Sequence, residues 1–201
     1  MIHEKIKDPQ KQKDSPIIQI GLRIPNQFFI TKGTGISPND FHTGSYQDAL
    51  RNAGISGCNI MKYSSMLPKI ATQVKKTSEV LENLVHGSVM DVIEATSTVK
   101  KGERATAGII FGWLYDRKTE EKFGGIVCER NSSNITVDMI EKQLKDSMIE
   151  LYERGYSKKY KLGKPVITTE SFVSEEKFGT AGVWIAFLNY EVPFLSFKNE
   201  I

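Results

Sequence analysis

The alternation of apolar and polar residues predicts short strands in the first part of the chain. Residues 16–23 and 27–31 are β-branched or aromatic runs, and the turn-forming pair Pro25 and Asn26 separates them. Residues 32–38 (KGTGISP) combine glycine, serine and proline, a composition typical of loops. The pattern therefore predicts two strands followed by a flexible loop.

Two segments have apolar residues at helical spacing. In residues 40–53 the apolar side chains lie roughly on one face, with Asp40 as the expected N-cap and Gly54 suited to the C-terminal cap. Residues 136–152 repeat the spacing with charged residues between, and Gly155 ends the run. Both segments are predicted to be amphipathic helices.

The region between these helices begins with a short predicted strand. Residues 58–63 (CNIMKY) form that strand, which runs directly into Ser64 and Ser65. Residues 69–83 are polar and mixed, which predicts a loop with one helical turn. The two serines are thus expected at a junction, where their hydroxyls commonly bond to nearby backbone.

Longer strand-like runs dominate the rest of the chain. Residues 85–98, 105–115 and 123–129 are separated by short turns, which predicts an antiparallel meander. Two further strands are expected over residues 165–174 and 180–192. Seven or eight strands with two good helices predict an α+β sandwich in which helices cover the sheet faces.

Length and composition are those of an ordinary globular protein. The chain has 201 residues, of which 39% are hydrophobic and 25% charged, values that predict a single folded domain over residues 15–201. Residues 1–14 are mostly polar or charged and are expected to form a disordered arm. No apolar run reaches the roughly 18 residues of a membrane span, and the start does not resemble a secretory signal. We therefore expect a cytoplasmic protein without a membrane partner.

Charge, cysteines and histidines narrow the possible chemistry. The net charge is +3, with much of the excess in the N-terminal arm, so no nucleic-acid partner is expected. Cys58 and Cys128 are too few for a disulfide framework and are expected to be reduced thiols. His3, His42 and His86 are scattered without metal-ligand spacing, and no metal site is expected.

The context of Ser64 and Ser65 is the most informative feature of the sequence. Asn59 lies six residues before Ser65, and Met66-Leu67-Pro68 follows it. In this context the chain resembles the pyruvoyl-dependent arginine decarboxylases, in particular the bacterial, chlamydial-type branch linked to arginine–agmatine exchange and acid resistance. The matching segments run in family order: ALRNAGI (49–55), Asn59-Ile60, YSSMLP (63–68), HGSVMDVIEA (86–95), ATAGI (105–109), GGIVCE (124–129) and KFGTAGVWIAFLNY (177–190).

The resemblance implies a proenzyme that cuts its own chain. The Ser65 hydroxyl attacks the carbonyl of Ser64, with Asn59 needed for this self-processing. The products are a β chain, residues 1–64, and an α chain, residues 65–201, that begins with a pyruvoyl group derived from Ser65. This cofactor replaces pyridoxal phosphate, so the resemblance implies neither PLP nor a metal.

The resemblance also implies the reaction and its residues. The pyruvoyl group forms a Schiff base with the substrate amine, carbon dioxide leaves, and Glu129 matches the family's proton donor. The expected substrate is L-arginine and the product agmatine. Gln47, Asp48 and Ser56 are the expected substrate-binding residues, although Gln47 stands where the family usually has an aspartate that grips the guanidinium.

The implied assembly is a homotrimer of αβ protomers with a four-layer αββα sandwich fold and sites at subunit interfaces. Two alternatives stay open. Because a neutral glutamine lacks the charge-assisted pairing of aspartate, a related pyruvoyl decarboxylase with another amino-acid substrate is possible. An unprocessed, non-catalytic relative is the other, since nothing in the sequence shows that the chain is cut.

Overall fold

The computed structural model describes residues 17–39 and 42–198. The predicted arm over residues 1–14 and the predicted N-cap Asp40 lie outside these residues. The described chain forms two compact units. One contains the residues up to Ile24 together with those from Tyr190 onward, and the other is Pro25–Asn189.

Fourteen strands and three helices make up the described chain. In order they are β1 (Ile17–Ile20), β2 (Ile24–Pro25), β3 (Gln27–Ser37), α1 (Thr43–Ala53), β4 (Asn59–Lys62), β5 (Met66–Pro68), β6 (Thr72–Gln73), α2 (Ser78–Glu82), β7 (Val89–Lys100), β8 (Arg104–Asp116), β9 (Lys122–Ser133), α3 (Val137–Gly155), β10 (Tyr160–Leu162), β11 (Val166–Val173), β12 (Phe178–Phe187), β13 (Tyr190–Glu191) and β14 (Phe194–Lys198). The predicted α+β class is confirmed.

The smaller unit is built on an antiparallel pair. β1 pairs with β14, in register from Ile17 opposite Lys198 to Ile20 opposite Phe194. Beyond β1, the Gly21 amide donates a hydrogen bond of 2.7 Å to a backbone carbonyl in the segment that precedes β14. The two ends of the described chain are therefore joined by backbone hydrogen bonds.

The first large sheet has the strand order β4-β7-β12-β3-β6. β12 is antiparallel to both of its neighbours, whereas the edge strand β4 runs parallel to β7. Helix α1 packs on β3 and β12. As predicted, α1 ends at Gly54, whose φ of 81° is the left-handed conformation that glycine adopts most readily.

The predicted loop over residues 32–38 is wrong, because β3 continues through Ser37 and pairs with β12 from Phe28 to Ser37. Its two glycines serve close packing instead of flexibility. A side chain at Gly33 would lie 2.8 Å from the Ala53 amide, and one at Gly35 would overlap the Ser45 carbonyl. Glycine is needed here because the α1 backbone approaches the strand directly.

The second large sheet has the order β10-β8-β9-β5, and β11 also pairs with β8. Helix α3 packs on β8 and β9 and buries Ile140, Leu144 and Met148. It begins after Thr136, whose hydroxyl accepts a hydrogen bond from the Met139 amide, as N-caps do. The predicted helix over residues 136–152 is confirmed.

The predicted meander is only partly correct. β8 and β9 form the expected antiparallel hairpin, but β7 pairs with β12 and β4 in the other sheet. The chain changes sheets at the turn that contains Gly102, where φ is 82°. β7 therefore packs against the second sheet, and the Ser97 hydroxyl donates a 2.9 Å hydrogen bond to the Ser132 carbonyl of β9.

Aromatic side chains fill part of the space between the two large sheets. The Phe28 ring of β3 lies edge-on to Phe111 of β8, with 5.9 Å between centroids, and also contacts Trp113 and Phe187. Since Phe28 is fully buried, this cluster holds the sheets together by excluding water. None of the helices among the described residues has the length and apolar character needed to cross a membrane.

Candidate active site

The Ser64-Ser65 peptide lies where the chain crosses from one large sheet to the other. Before it, β4 forms an edge of the first sheet, and the Tyr63 amide donates a hydrogen bond of 2.7 Å to the Val92 carbonyl. After it, β5 forms an edge of the second sheet, and the Ser65 carbonyl accepts a 3.0 Å hydrogen bond from Val127. The peptide is thus held from both sides.

The crossing itself is a tight turn. The Met66 amide donates a hydrogen bond of 3.0 Å to the Ser64 carbonyl, which closes a three-residue turn centred on Ser65. A donor on a carbonyl oxygen stabilises negative charge that develops there when a nucleophile attacks the carbonyl carbon. The Ser64 carbonyl is therefore already polarised, with the Ser65 side chain on the adjacent residue.

The Ser65 hydroxyl contacts Glu129. Its oxygen lies 2.8 Å from each of the two carboxylate oxygens. Glu129 comes from β9, whose neighbouring residues Ile126 and Cys128 pack in the apolar cluster with α3. Because successive side chains of a strand point to opposite faces, Glu129 points away from α3. The sequence predicted both residues for the site, and the fold brings them together.

Asn59 lies at the start of β4, whereas Ser64 and Ser65 follow the end of that strand. The Asn59 side-chain amide donates a 2.8 Å hydrogen bond to the Gly87 carbonyl, and the Asn59 backbone amide donates one to the Ser88 carbonyl. These contacts fix the beginning of β4 against the turn that precedes β7.

The three predicted substrate-binding residues lie on or after α1. The Gln47 side chain is exposed and donates a 3.1 Å hydrogen bond to the Ser56 carbonyl. Asp48 instead forms an ion pair with Arg51 on the same helix, beside a cleft of about 520 Å³. Within the described residues, neither the Gln47 hydrogen bond nor the Asp48 ion pair involves Ser65 or Glu129.

A buried carboxylate that the sequence analysis did not single out is paired with the strand that leads to the scissile peptide. The side chain of Glu94, on β7, is only 1% exposed and forms an ion pair of 2.5 Å with Lys62. Its other hydrogen-bond donors are the Tyr46 hydroxyl at 2.6 Å, the Trp184 indole at 2.7 Å and the Thr96 hydroxyl at 3.2 Å. A glutamate inside an apolar strand pattern was the available sequence signal.

These contacts shift the acidity of two groups. Burial raises the pKa of the Glu94 carboxyl, but the hydrogen bonds that it accepts, that from Lys62 foremost, outweigh burial and leave the pKa below its ordinary value. Burial raises the pKa of the Tyr46 phenol, and its hydrogen bond to Glu94 raises it further. Glu94 is therefore held as a carboxylate and Tyr46 as a neutral donor.

Comparison with known proteins assigns the chain to a family. Residues 27–192 match the sequence profile described as pyruvoyl-dependent arginine decarboxylase (PvlArgDC). The pyruvoyl-dependent arginine decarboxylase AaxB of Chlamydia abortus is 28% identical over 191 residues, covering 85% of this chain and 94% of that protein. AaxB of Chlamydia trachomatis serovar L2 is 30% identical with the same coverage.

A relative from outside the genus Chlamydia also matches. The pyruvoyl-dependent arginine decarboxylase of Methanococcoides burtonii is 34% identical over 119 residues, covering 53% of this chain and 64% of that protein. The family match and these relatives show that the chain is an enzyme of the carboxy-lyase class. It belongs to the pyruvoyl-dependent arginine decarboxylase family.

Proposed function

We propose that the protein is a proenzyme that cuts itself between Ser64 and Ser65 and then converts L-arginine to agmatine and carbon dioxide. The observation that carries the proposal is the contact of 2.8 Å between the Ser65 hydroxyl and the Glu129 carboxylate. Membership of the family adds the pyruvoyl group. The turn at Ser65 fits that group, because it joins the precursor hydroxyl, a polarised carbonyl and an acid.

Self-cleavage uses only groups of this chain and one water molecule. The Ser65 oxygen attacks the Ser64 carbonyl carbon, the peptide C–N bond breaks, and an ester forms between the two residues. Elimination then breaks the Ser65 Cβ–O bond and leaves a carboxylate on Ser64 and a dehydroalanine at position 65. Hydrolysis of that residue releases ammonia and leaves the pyruvoyl group at the start of chain 65–201.

The Met66 amide supports the first step, because it donates to the carbonyl oxygen on which negative charge develops. Glu129 supports it by accepting the hydroxyl hydrogen bond and so fixing the direction of the serine oxygen. We retain for Asn59 the self-processing role that the family implies. Its bond to Gly87 supports an indirect part in that role, through the placement of β4.

In the mature enzyme, the pyruvoyl group supplies the electron sink that decarboxylation of an amino acid requires. Glu129 supplies the acid. Its carboxyl lies within hydrogen-bond reach of the side chain at position 65, so it can hold the proton that replaces the departing carboxyl group. One carboxyl thus orients the serine before cleavage and delivers a proton afterwards.

We propose that the exposed amide of Gln47, bonded to Ser56, and the neighbouring Asp48 bind the substrate from an adjacent protomer of a trimer. Gln47 is bonded to Ser56 and Asp48 to Arg51, and neither contact involves Ser65 of the same chain. This supports binding of a substrate held at the Ser65 site of another protomer. Met61 and Met66 flank the scissile peptide, and about half of each residue is exposed. Exposed apolar side chains support a surface that another protomer covers.

We also propose that the larger unit is a four-layer αββα sandwich. The packing of α1 on the first sheet and of α3 on the second supports it, as does the aromatic cluster around Phe28.

Two other functions remain as alternatives. Gln47 favours another amino-acid substrate, because a neutral amide pairs less strongly with a guanidinium than a carboxylate does, and a non-catalytic relative would remain uncut.

The test is the mass of the denatured protein followed by an assay of released carbon dioxide. Two chains divided at 64/65, the larger with the mass expected for pyruvoyl, together with turnover of L-arginine, are the expected result. Cleavage without arginine turnover would favour another amino acid. A chain that stays intact would favour the non-catalytic relative.

A further inference from the structure

The ion pair between Lys62 and Glu94 joins the strand before the scissile peptide to the interior of the first sheet. The Lys62 side chain is 65% exposed, whereas that of Glu94 is 1% exposed. The lysine stem therefore extends from the surface edge strand to a carboxylate inside the protein. The 2.5 Å distance between Lys62 Nζ and Glu94 Oε1 is that of a direct charge-assisted contact.

Glu94 is itself fixed in orientation. The Tyr46 hydroxyl and the Trp184 indole both donate to Oε2, and the Thr96 hydroxyl donates to Oε1 beside Lys62. A carboxylate with both oxygens engaged has little freedom to rotate. It is therefore a rigid acceptor for the lysine, unlike a carboxylate on an exposed side chain.

The ion pair of Lys62 adds a side-chain contact to the end of strand β4. It is a four-residue edge strand that pairs on one side only, with β7, and Lys62 is its last residue. Beyond Lys62, the Tyr63 amide continues the pairing by donating to the Val92 carbonyl, and the Tyr63 ring contacts Phe187. Ser64 follows directly, so a shift of Lys62 at the strand end would move the Ser64 carbonyl relative to the Ser65 oxygen.

The same ion pair spans the proposed cut. Lys62 and Tyr46 belong to the segment 1–64, whereas Glu94 and Trp184 belong to the segment 65–201. After cleavage no covalent bond joins these segments at Ser64. The buried carboxylate would then hold the new chain end beside the site by noncovalent contacts alone.

We propose that Lys62, through its ion pair with Glu94, is a positioning residue that aligns the Ser64-Ser65 peptide for self-cleavage. This inference rests on the proposed function. It concerns the rate of chain cleavage, since neither side chain contacts the Ser65 hydroxyl, whose hydrogen bond goes to Glu129.

The experiment follows cleavage of newly made full-length chain in a cell-free translation reaction, after synthesis is stopped. Lys62→Met keeps an aliphatic stem of similar size but removes the charge, and its cleavage half-time should lengthen about tenfold or more, as expected when a reacting group is misplaced. Lys62→Arg keeps the charge, and the exposed position has room for it. That variant should cleave within about threefold of the wild-type rate, since the guanidinium keeps a charge-assisted contact with the Glu94 carboxylate.

Lys69→Met is the matched control. Lys69 lies four residues after Ser65 and pairs with Glu121 at 3.1 Å, but both of these side chains are more than half exposed, and such pairs contribute little. Its cleavage rate should equal that of the wild type. Tyr46→Phe removes a different donor from Glu94 and should lower the thermal midpoint without slowing cleavage to the extent of Lys62→Met.

Thermal unfolding of each variant in the uncut Ser65→Ala background shows whether slow cleavage results from a misaligned peptide or from loss of stability. A Lys62→Met chain that is folded at the assay temperature and cleaves at the wild-type rate would overturn the inference while leaving the proposed function intact. Failure of Lys62→Arg to restore cleavage would also overturn it. A wild-type chain that is never cut would overturn the proposed function, and the inference with it.

Discussion

The Ser65 hydroxyl and the Glu129 carboxylate lie 2.8 Å apart although 64 residues of sequence separate them. The contact exists because β5 pairs with β9 in a register that sets Met66 opposite Ile126, and the Ser65 carbonyl extends the pairing by accepting from Val127. The backbone hydrogen bonds between β5 and β9 therefore place the Ser65 hydroxyl beside the Glu129 carboxylate.

Replacement of Ser65 by alanine removes the attacking oxygen. We expect Ser65→Ala to remain a single chain of close to 22.6 kDa and to release no carbon dioxide from L-arginine, as measured by intact mass and a gas assay. Ser64→Ala is the control, because residue 64 contributes its carbonyl and retains it. Cleavage of Ser65→Ala between residues 64 and 65 would contradict the assignment of the nucleophile.

Glu129 has separable roles before and after cleavage. In Glu129→Gln, the amide oxygen can still accept the Ser65 hydrogen bond, so we expect two chains of normal mass. The amide cannot supply a proton, and the turnover number should fall by about 10² to 10⁴, the usual contribution of general acid catalysis. Turnover close to the wild-type value would show that another group is the proton donor.

Gly35 permits the close approach of α1 to the first sheet. A methyl group there would overlap the Ser45 carbonyl and the Ala49 amide and would lie 2.6 Å from the Asp48 Cβ. We expect Gly35→Ala to lower the free energy of unfolding by about 1–3 kcal/mol or more, as overpacking does. Gly155→Ala, which meets nothing within 4 Å, should change it little. Denaturant unfolding in the uncut Ser65→Ala chain measures both, and equal stability of the two variants would refute this packing role.

Because the pKa of Glu94 is lowered in the folded protein, stability should depend on pH in the acidic range. The folded protein keeps Glu94 ionised at pH values somewhat below 4.5, the ordinary pKa of a glutamate. In that pH range the unfolded chain therefore binds more protons than the folded protein. Its contribution is therefore complete above about pH 4.5 and is lost as the pH falls through the pKa of the folded state, at about 1.4 kcal/mol for each unit by which that pKa is lowered.

The measurement compares Ser65→Ala with Ser65→Ala/Glu94→Gln in urea between about pH 3 and pH 7, a range that brackets the carboxyl titration. The stability difference between the two proteins should shrink on acidification. Glu121→Gln is a control, because Glu121 is exposed. A difference that stays constant across this range would mean that Glu94 does not titrate with unfolding.

Several parts of the fold were predictable because they depend on neighbours in sequence. The α3 helix follows from its apolar spacing, the end of α1 from Gly54, and the strand before Ser64 from its composition. The loop prediction over residues 32–38 failed for a tertiary reason. Glycine weakens a strand locally, but at Gly33 and Gly35 the close packing of α1 requires it.

The sequence by itself determined the chemistry available to this protein: the serine pair at a strand end, the glutamate of GGIVCE and the motifs that mark the family. The tertiary structure alone decided that β7 joins β12 instead of β8, and that Glu94 receives donors from α1, β4 and β12. Local pattern reports which residues prefer a strand or a helix. Sheet partners and the environment of a buried charge depend on contacts between distant segments, whose free energy exists only in the folded chain.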